Sequence, residues 1–123
     1  MKRIKITRSV FVRIVMSPIM KKVKITVTKV ACYKDLIEKY EKPMEHACSM
    51  KEGMVFIANG YEKPKGFCDS AWKTISEFVL LLSQGAKNFY DGWMKNESSA
   101  MISCNDGFRP VSFLLEALKE NAD

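Results

Sequence analysis

The chain lacks most of the short signatures that announce an enzyme or a cofactor site. Its 123 residues contain no glycine-rich phosphate loop, no dinucleotide fingerprint and no nucleophile elbow. Paired Cys-x-x-Cys motifs are missing, which removes the strong zinc-ribbon and thioredoxin patterns. Histidine occurs once, at His46, so any Cys–His or Ser–His nucleophile has to use that residue. No apolar run approaches the ~20 residues of a membrane span. Residues 1–19 lack acid altogether: Lys2, Arg3, Lys5, Arg8 and Arg13 stand unopposed, so five of the six excess positive charges sit in this stretch. The rest of the chain is close to neutral. A polyanion needs basic residues gathered on one folded face, and nucleic-acid binding by the body is therefore not favoured.

What is present suits one domain of ordinary composition, 47% hydrophobic and 28% charged. Cys32, Cys48, Cys68 and Cys104 make an even count, which in a secreted chain suggests disulfides. The apolar stretch Val10-Phe11-Val12 is broken by Arg13 and followed by no small-residue cleavage site, so a reducing cytoplasm is expected and the thiols read as free.

Residues Met1-Lys2-Arg3-Ile4-Lys5-Ile6-Thr7 echo Met20-Lys21-Lys22-Val23-Lys24-Ile25-Thr26. Either the first stretch is a duplicated strand, or residues 1–19 are a basic extension ahead of a domain spanning 20–118, with 119–123 as a tail. Val23, Ile25 and Val27 alternate with Lys24, Thr26 and Thr28, the period of a half-buried strand. Leu36, Ile37 and Tyr40 mark a short helix over 33–41 that ends before Pro43. A compact apolar strand follows at 54–58. The strongest helix begins after Cys68, with Asp69 placed to cap it and Ala71, Trp72, Ile75, Phe78, Val79 and Leu82 on one stripe. Gly85 closes it. Residues 87–96 read as a loop, 99–104 as a strand, Asn105-Asp106-Gly107 as a tight turn and 108–118 as a last strand, with Pro110 at its start. The sum is β-α-β-α-β-β: an α+β fold with a single small, mixed or mainly antiparallel sheet and two helices packed on one face.

Three thiols fall at element ends. Cys48 precedes a strand, Cys68 opens the best helix, and Cys104 ends a strand at a turn. Amides at a helix N-terminus favour negative charge on sulfur. Converging thiolates bind zinc or an iron–sulfur cluster, and His46, two residues before Cys48, is a candidate fourth ligand. The separations of 20 and 36 residues carry no metal signature of their own, and reduced cysteine often serves as core filler, the reading that suits Cys32 best. Trp93, with Phe89 and Tyr90, either covers the sheet edge or lines a ligand pocket. Asn105, Asp106 and Arg109 frame the turn. Arg109 could grip an anion, although an ion pair with Asp106 or a neighbour is the plainer reading.

Gly66-Phe67-Cys68-Asp69-Ser70-Ala71-Trp72 and Cys104-Asn105-Asp106-Gly107-Phe108-Arg109-Pro110-Val111, with the opening Met20-Lys21-Lys22-Val23-Lys24-Ile25-Thr26-Val27, resemble a family of small uncharacterised proteins of anaerobic bacteria and archaea. The resemblance covers roughly residues 20–118. It implies that Cys48, Cys68 and Cys104 are the family's cysteines and that Cys32 is not among them. It supports the extension reading of residues 1–19 and carries no assigned activity. Ser49 stands where the family commonly has proline.

The expectation is a small protein in which Cys48, Cys68 and Cys104 converge on a metal or iron–sulfur centre, with a redox or carrier role. Two rivals stand beside it: a metal-free module that binds a ligand, a protein partner or a second copy of itself, and a thiol enzyme with Cys68 as nucleophile and His46 as base.

Overall fold

The computed structural model describes residues 19–45 and 48–123. The 1–18 stretch, and with it the duplicated-strand and extension readings, lies outside the described residues, as does His46.

Four strands, β1 (Lys21–Val30), β2 (Val55–Ala58), β3 (Ser99–Ser103) and β4 (Val111–Asn121), form one sheet in the order β2-β1-β4-β3. Every pairing is antiparallel. The fold is α+β, as the sequence pattern predicts. The two-residue period of β1 sends Val23, Ile25 and Val27 to one face, where all three are buried. In β4 the same period buries Val111, Phe113 and Leu115, and the register sets Ile25 opposite Leu115, Val27 opposite Phe113 and Val30 opposite Val111.

Helix α1 (Lys34–Tyr40) follows β1, and α2 (Asp69–Ser83) follows β2. The buried sheet face is covered by α2 through Ala71, Ile75, Val79 and Leu82, one stripe at three- and four-residue spacing. Each large apolar side chain placed there contributes on the order of 1.5–3 kcal/mol relative to exposure. Gly85 has φ +93°, and the Ala86 amide donates to the Leu81 carbonyl while the Gly85 amide donates to that of Leu82. This paired closure needs a left-handed residue, which glycine adopts without strain.

Four details depart from the sequence reading. Asp69 does not cap α2: Cys68 holds the cap position, no side chain caps the helix there, and the Asp69 carboxylate instead accepts from Lys63 Nζ. Residues 119–121 are not a tail. They continue β4, with Lys21 opposite Asn121 and the Ala122 amide donating to the Met20 carbonyl. The 87–96 loop contains a single turn at Phe89–Gly92 in which Tyr90 and Asp91 take positive φ, so it is not a regular helix. Finally, α1 buries none of its residues, and its apolar Tyr40 is largely exposed.

Among the described residues no helix is long and apolar enough to cross a membrane.

Candidate functional site

A cavity of about 410 Å³ opens beside the N-terminus of α2, and three remote segments meet there. Cys48, Ser49 and Met50 come from the segment leading to β2, Cys68, Ser70 and Ala71 from the start of α2, and Cys104, Asn105, Asp106 and Arg109 from the β3–β4 connection. Val111 and Phe113 of β4 complete the lining. The three cysteines singled out in the sequence thus share one cavity. Cys32 is not part of its lining; two residues past the end of β1, it is exposed rather than core filler.

Each thiol is held differently. Cys104 is half-buried and clasped by the backbone of β4: its amide donates to the Val111 carbonyl at 3.0 Å, and the Val111 amide donates to Cys104 Sγ at 3.3 Å. Cys68 is half-buried at the helix cap, packed against the core, and its carbonyl accepts from the Trp72 amide at 2.9 Å. Beneath it Phe67 is buried, with its ring 5.3 Å from that of Phe113 and edge-on to Phe56 at 5.0 Å. Cys48 is exposed, and its Sγ accepts from the Met50 amide at 3.4 Å. Met50 is buried and anchors this segment, which is also tied to β1 where the Gly53 amide donates to the Val27 carbonyl. Backbone amides thus donate to two of the sulfurs, and the third stands at a helix N-terminus.

The turn that carries Cys104 is heavily braced. Asp106 Oδ1 accepts from the amides of Phe108 at 2.8 Å and Arg109 at 3.1 Å, the aspartate turn that the Asn-Asp-Gly sequence favours. Ser70 Oγ donates to Asn105 Oδ1 at 3.2 Å and so links the first turn of α2 to the residue after Cys104. The Tyr33 amide donates to the Phe108 carbonyl.

Arg109 lines the cavity, but its ion-pair partner is Glu41 rather than Asp106. Nη2 reaches Oε1 at 2.9 Å and Nη1 reaches Oε2 at 3.1 Å, a two-pronged match between guanidinium and carboxylate. The hydrogen bonds it donates to Glu41 raise the guanidinium pKa above its ordinary value. Glu41 stands 68 residues away and gave no local signal in the sequence. Ser70 had one, since two residues past a helix-capping cysteine is the first turn.

Trp93 is not brought to the cavity. It is 82% exposed on the loop after Phe89–Gly92. Phe89 and Tyr90 cover α2 instead, stacking on Phe78, and the Tyr90 hydroxyl donates to the Met101 carbonyl of β3. Among the described residues no group of three or more His, Cys, Asp or Glu side chains is disposed to hold a single metal ion.

Comparison with protein-family models, curated proteins and solved structures finds no match.

Proposed function

We propose that Cys48, Cys68 and Cys104 are the ligands of a thiolate-bound iron–sulfur cluster, in a small cytoplasmic protein with a redox or carrier role. The observation that carries this reading is the meeting of three thiols, from segments 20 and 36 residues apart, in one cavity. The size of that cavity favours one kind of centre over another. One water takes about 30 Å³ of liquid volume, so a space of about 410 Å³ suits a polyatomic group better than a bare ion. A single zinc ion with bonds of ~2.3 Å requires sulfurs in mutual contact, a grouping not found among the described residues. Cluster sulfurs stand further apart, and amide donors to cysteine sulfur of the kind found at Cys48 and Cys104 tune such centres. A bound cluster supplies one-electron transfer. The chain's own residues fix the sulfurs and exclude water on the Phe113 side. The resemblance to the cysteine-containing family of anaerobes fits the same reading.

A second reading draws on the same volume, which lies within the ~300–1,000 Å³ range of small-ligand sites. It is a metal-free module that binds a small molecule in the cavity lined by Ser70, Asn105 and Arg109. Anaerobic purification followed by iron and acid-labile sulfide determination separates the two. Iron and sulfide that accompany the native chain and are lost in Cys68→Ser are expected. A metal-free chain whose three thiols are inert leaves the ligand module.

A further inference from the structure

A second cavity, of about 510 Å³, opens at the other end of α2, away from the cysteines. Leu82, Ala86, Ala117 and Leu118 give it an apolar side, and Lys21, Lys87 and Lys119 a basic one. No carboxylate is among its lining residues. We propose that this cavity binds a small organic phosphomonoester, with the phosphate at the lysines and the organic part against the leucines. The site is independent of the cluster reading.

The lysines gather there because the sheet outlasts the helix. α2 stops at Ser83 and Gly85 turns the chain, whereas β1 and β4 run on as far as the Lys21↔Asn121 pair. Lys21 precedes Val23 by one strand period and Lys119 follows Ala117 by one, so ammonium groups stand where a longer helix would need apolar residues. Their charge is largely unspent. Lys21 Nζ donates to the Lys119 carbonyl at 3.2 Å and to Asn121 Oδ1 at 2.6 Å, both neutral acceptors, which leaves one of its three N–H groups. Lys119 makes no ion pair among the described residues. Lys87 meets Glu97 at 3.4 Å, an exposed pair of small energetic weight. Asn96 accepts from the Ser98 amide through Oδ1, so its two N–H groups add donors to the lining. The carbonyls at the end of α2, which would repel an anion, are occupied: those of Leu80, Leu81 and Leu82 accept from the amides of residues 84–86. Two uncompensated ammonium groups and a third weakly paired match a dianion, and lysine serves phosphate as a point charge. The apolar side adds burial for an organic body, and the volume lies within the ~300–1,000 Å³ range of small-ligand sites.

The test titrates the ¹⁵N-labelled full chain with phenyl phosphate at low ionic strength and follows the amide resonances. Those of Leu82 to Lys87 and Ala117 to Lys119 are expected to move, while those of Cys48, Cys68 and Cys104 stay in place. Lys119→Gln is expected to weaken binding roughly tenfold, the effect of one lost hydrogen bond to a charged group. Lys65→Gln removes the same charge outside the cavity and is expected to weaken it by less than about twofold. Inorganic phosphate and phenol, each alone, should bind more weakly than phenyl phosphate. No response at the named amides overturns the proposal. So do equal losses in the two variants, which would assign binding to the net positive charge of the chain, and inorganic phosphate that binds as tightly as phenyl phosphate, which would leave the apolar side without a role. Phosphatidylcholine vesicles containing phosphatidic acid present the same phosphate group on a membrane. Sedimentation with them, without a response to phenyl phosphate, overturns the proposal in favour of a lipid surface.

Discussion

The segment before β2 and the turn between β3 and β4 each deliver a cysteine to the same cavity, yet they are built in opposite ways. The Cys104 turn is fastened at every step: by Val111 on both sides of the cysteine, by Asp106 across its middle, by Ser70 from α2 and by the Arg109–Glu41 fork from the end of α1. The Cys48 segment has Met50 as its buried anchor, and its thiol lies exposed. A site made this way has two sulfurs set in advance by the fold and a third on the solvent side. Preorganised ligands keep the cost of ordering low, while an exposed one gives a centre its way in and out.

The largest expected effect tests whether the fixed half draws its rigidity from the core. Phe113 is fully buried beneath the cavity, and Phe113→Ala should destabilise the fold by about 3–5 kcal/mol. Urea unfolding at constant m-value measures it; a loss below about 1 kcal/mol would mean the floor is not packed as described. Next comes the brace across the turn. Asp106→Ala leaves two amides without their acceptor and should cost about 1–2 kcal/mol, with Asp106→Asn restoring most of it. Equal losses in the two variants would assign the effect to charge instead.

Cys48→Ser sharpens the contrast, because it should change stability by less than about 0.5 kcal/mol while abolishing retention of the proposed centre. In the native metal-free chain, mass spectrometry of alkylated peptides should find Cys48 modified roughly tenfold faster than Cys68 and Cys104, which are half-buried. Uniform rates would erase the difference between the two segments.

The smallest effect concerns Asp69, beside Cys68. The hydrogen bond from Lys63 holds its carboxyl below the usual value. The folded state thus gives up this proton more readily than the unfolded one. The resulting stabilisation is present above the unfolded pKa of about 3.9 and is lost as pH falls through the lower folded value. Asp69→Asn should therefore make acid unfolding slightly less steep below that pH, followed through tryptophan fluorescence. An unchanged acid limb would show the pair to be inconsequential.

Where the chain spoke through local periodicity, it was readable. Val23, Ile25 and Val27 announce β1, the Ala71 to Leu82 stripe announces α2, and Gly85 its end. The placement of three cysteines at element ends singled out the cavity. What stayed hidden depends on contacts between remote positions. Nothing near Glu41 indicates that it will meet Arg109. Asp69 looked like a cap because helix caps are commonly aspartate, but Lys63 competes for its carboxylate. Residues 119–121 are too polar to look like strand, and they are held as one by pairing with β1. Cys32 reads as core filler because a free cysteine is usually buried, whereas two residues past the end of β1 it is exposed.

The strand order β2-β1-β4-β3 sets a schedule for the cavity. β1 must wait for β4, the last strand of the sheet in sequence, to complete its pairing from Lys21↔Asn121 to Val30↔Val111. Until then β1 has an open edge, and the Val111 amide that clasps Cys104 has no fixed place. The wall of the cavity that Cys104 supplies is therefore set only after the last strand has docked, late in the synthesis of the chain.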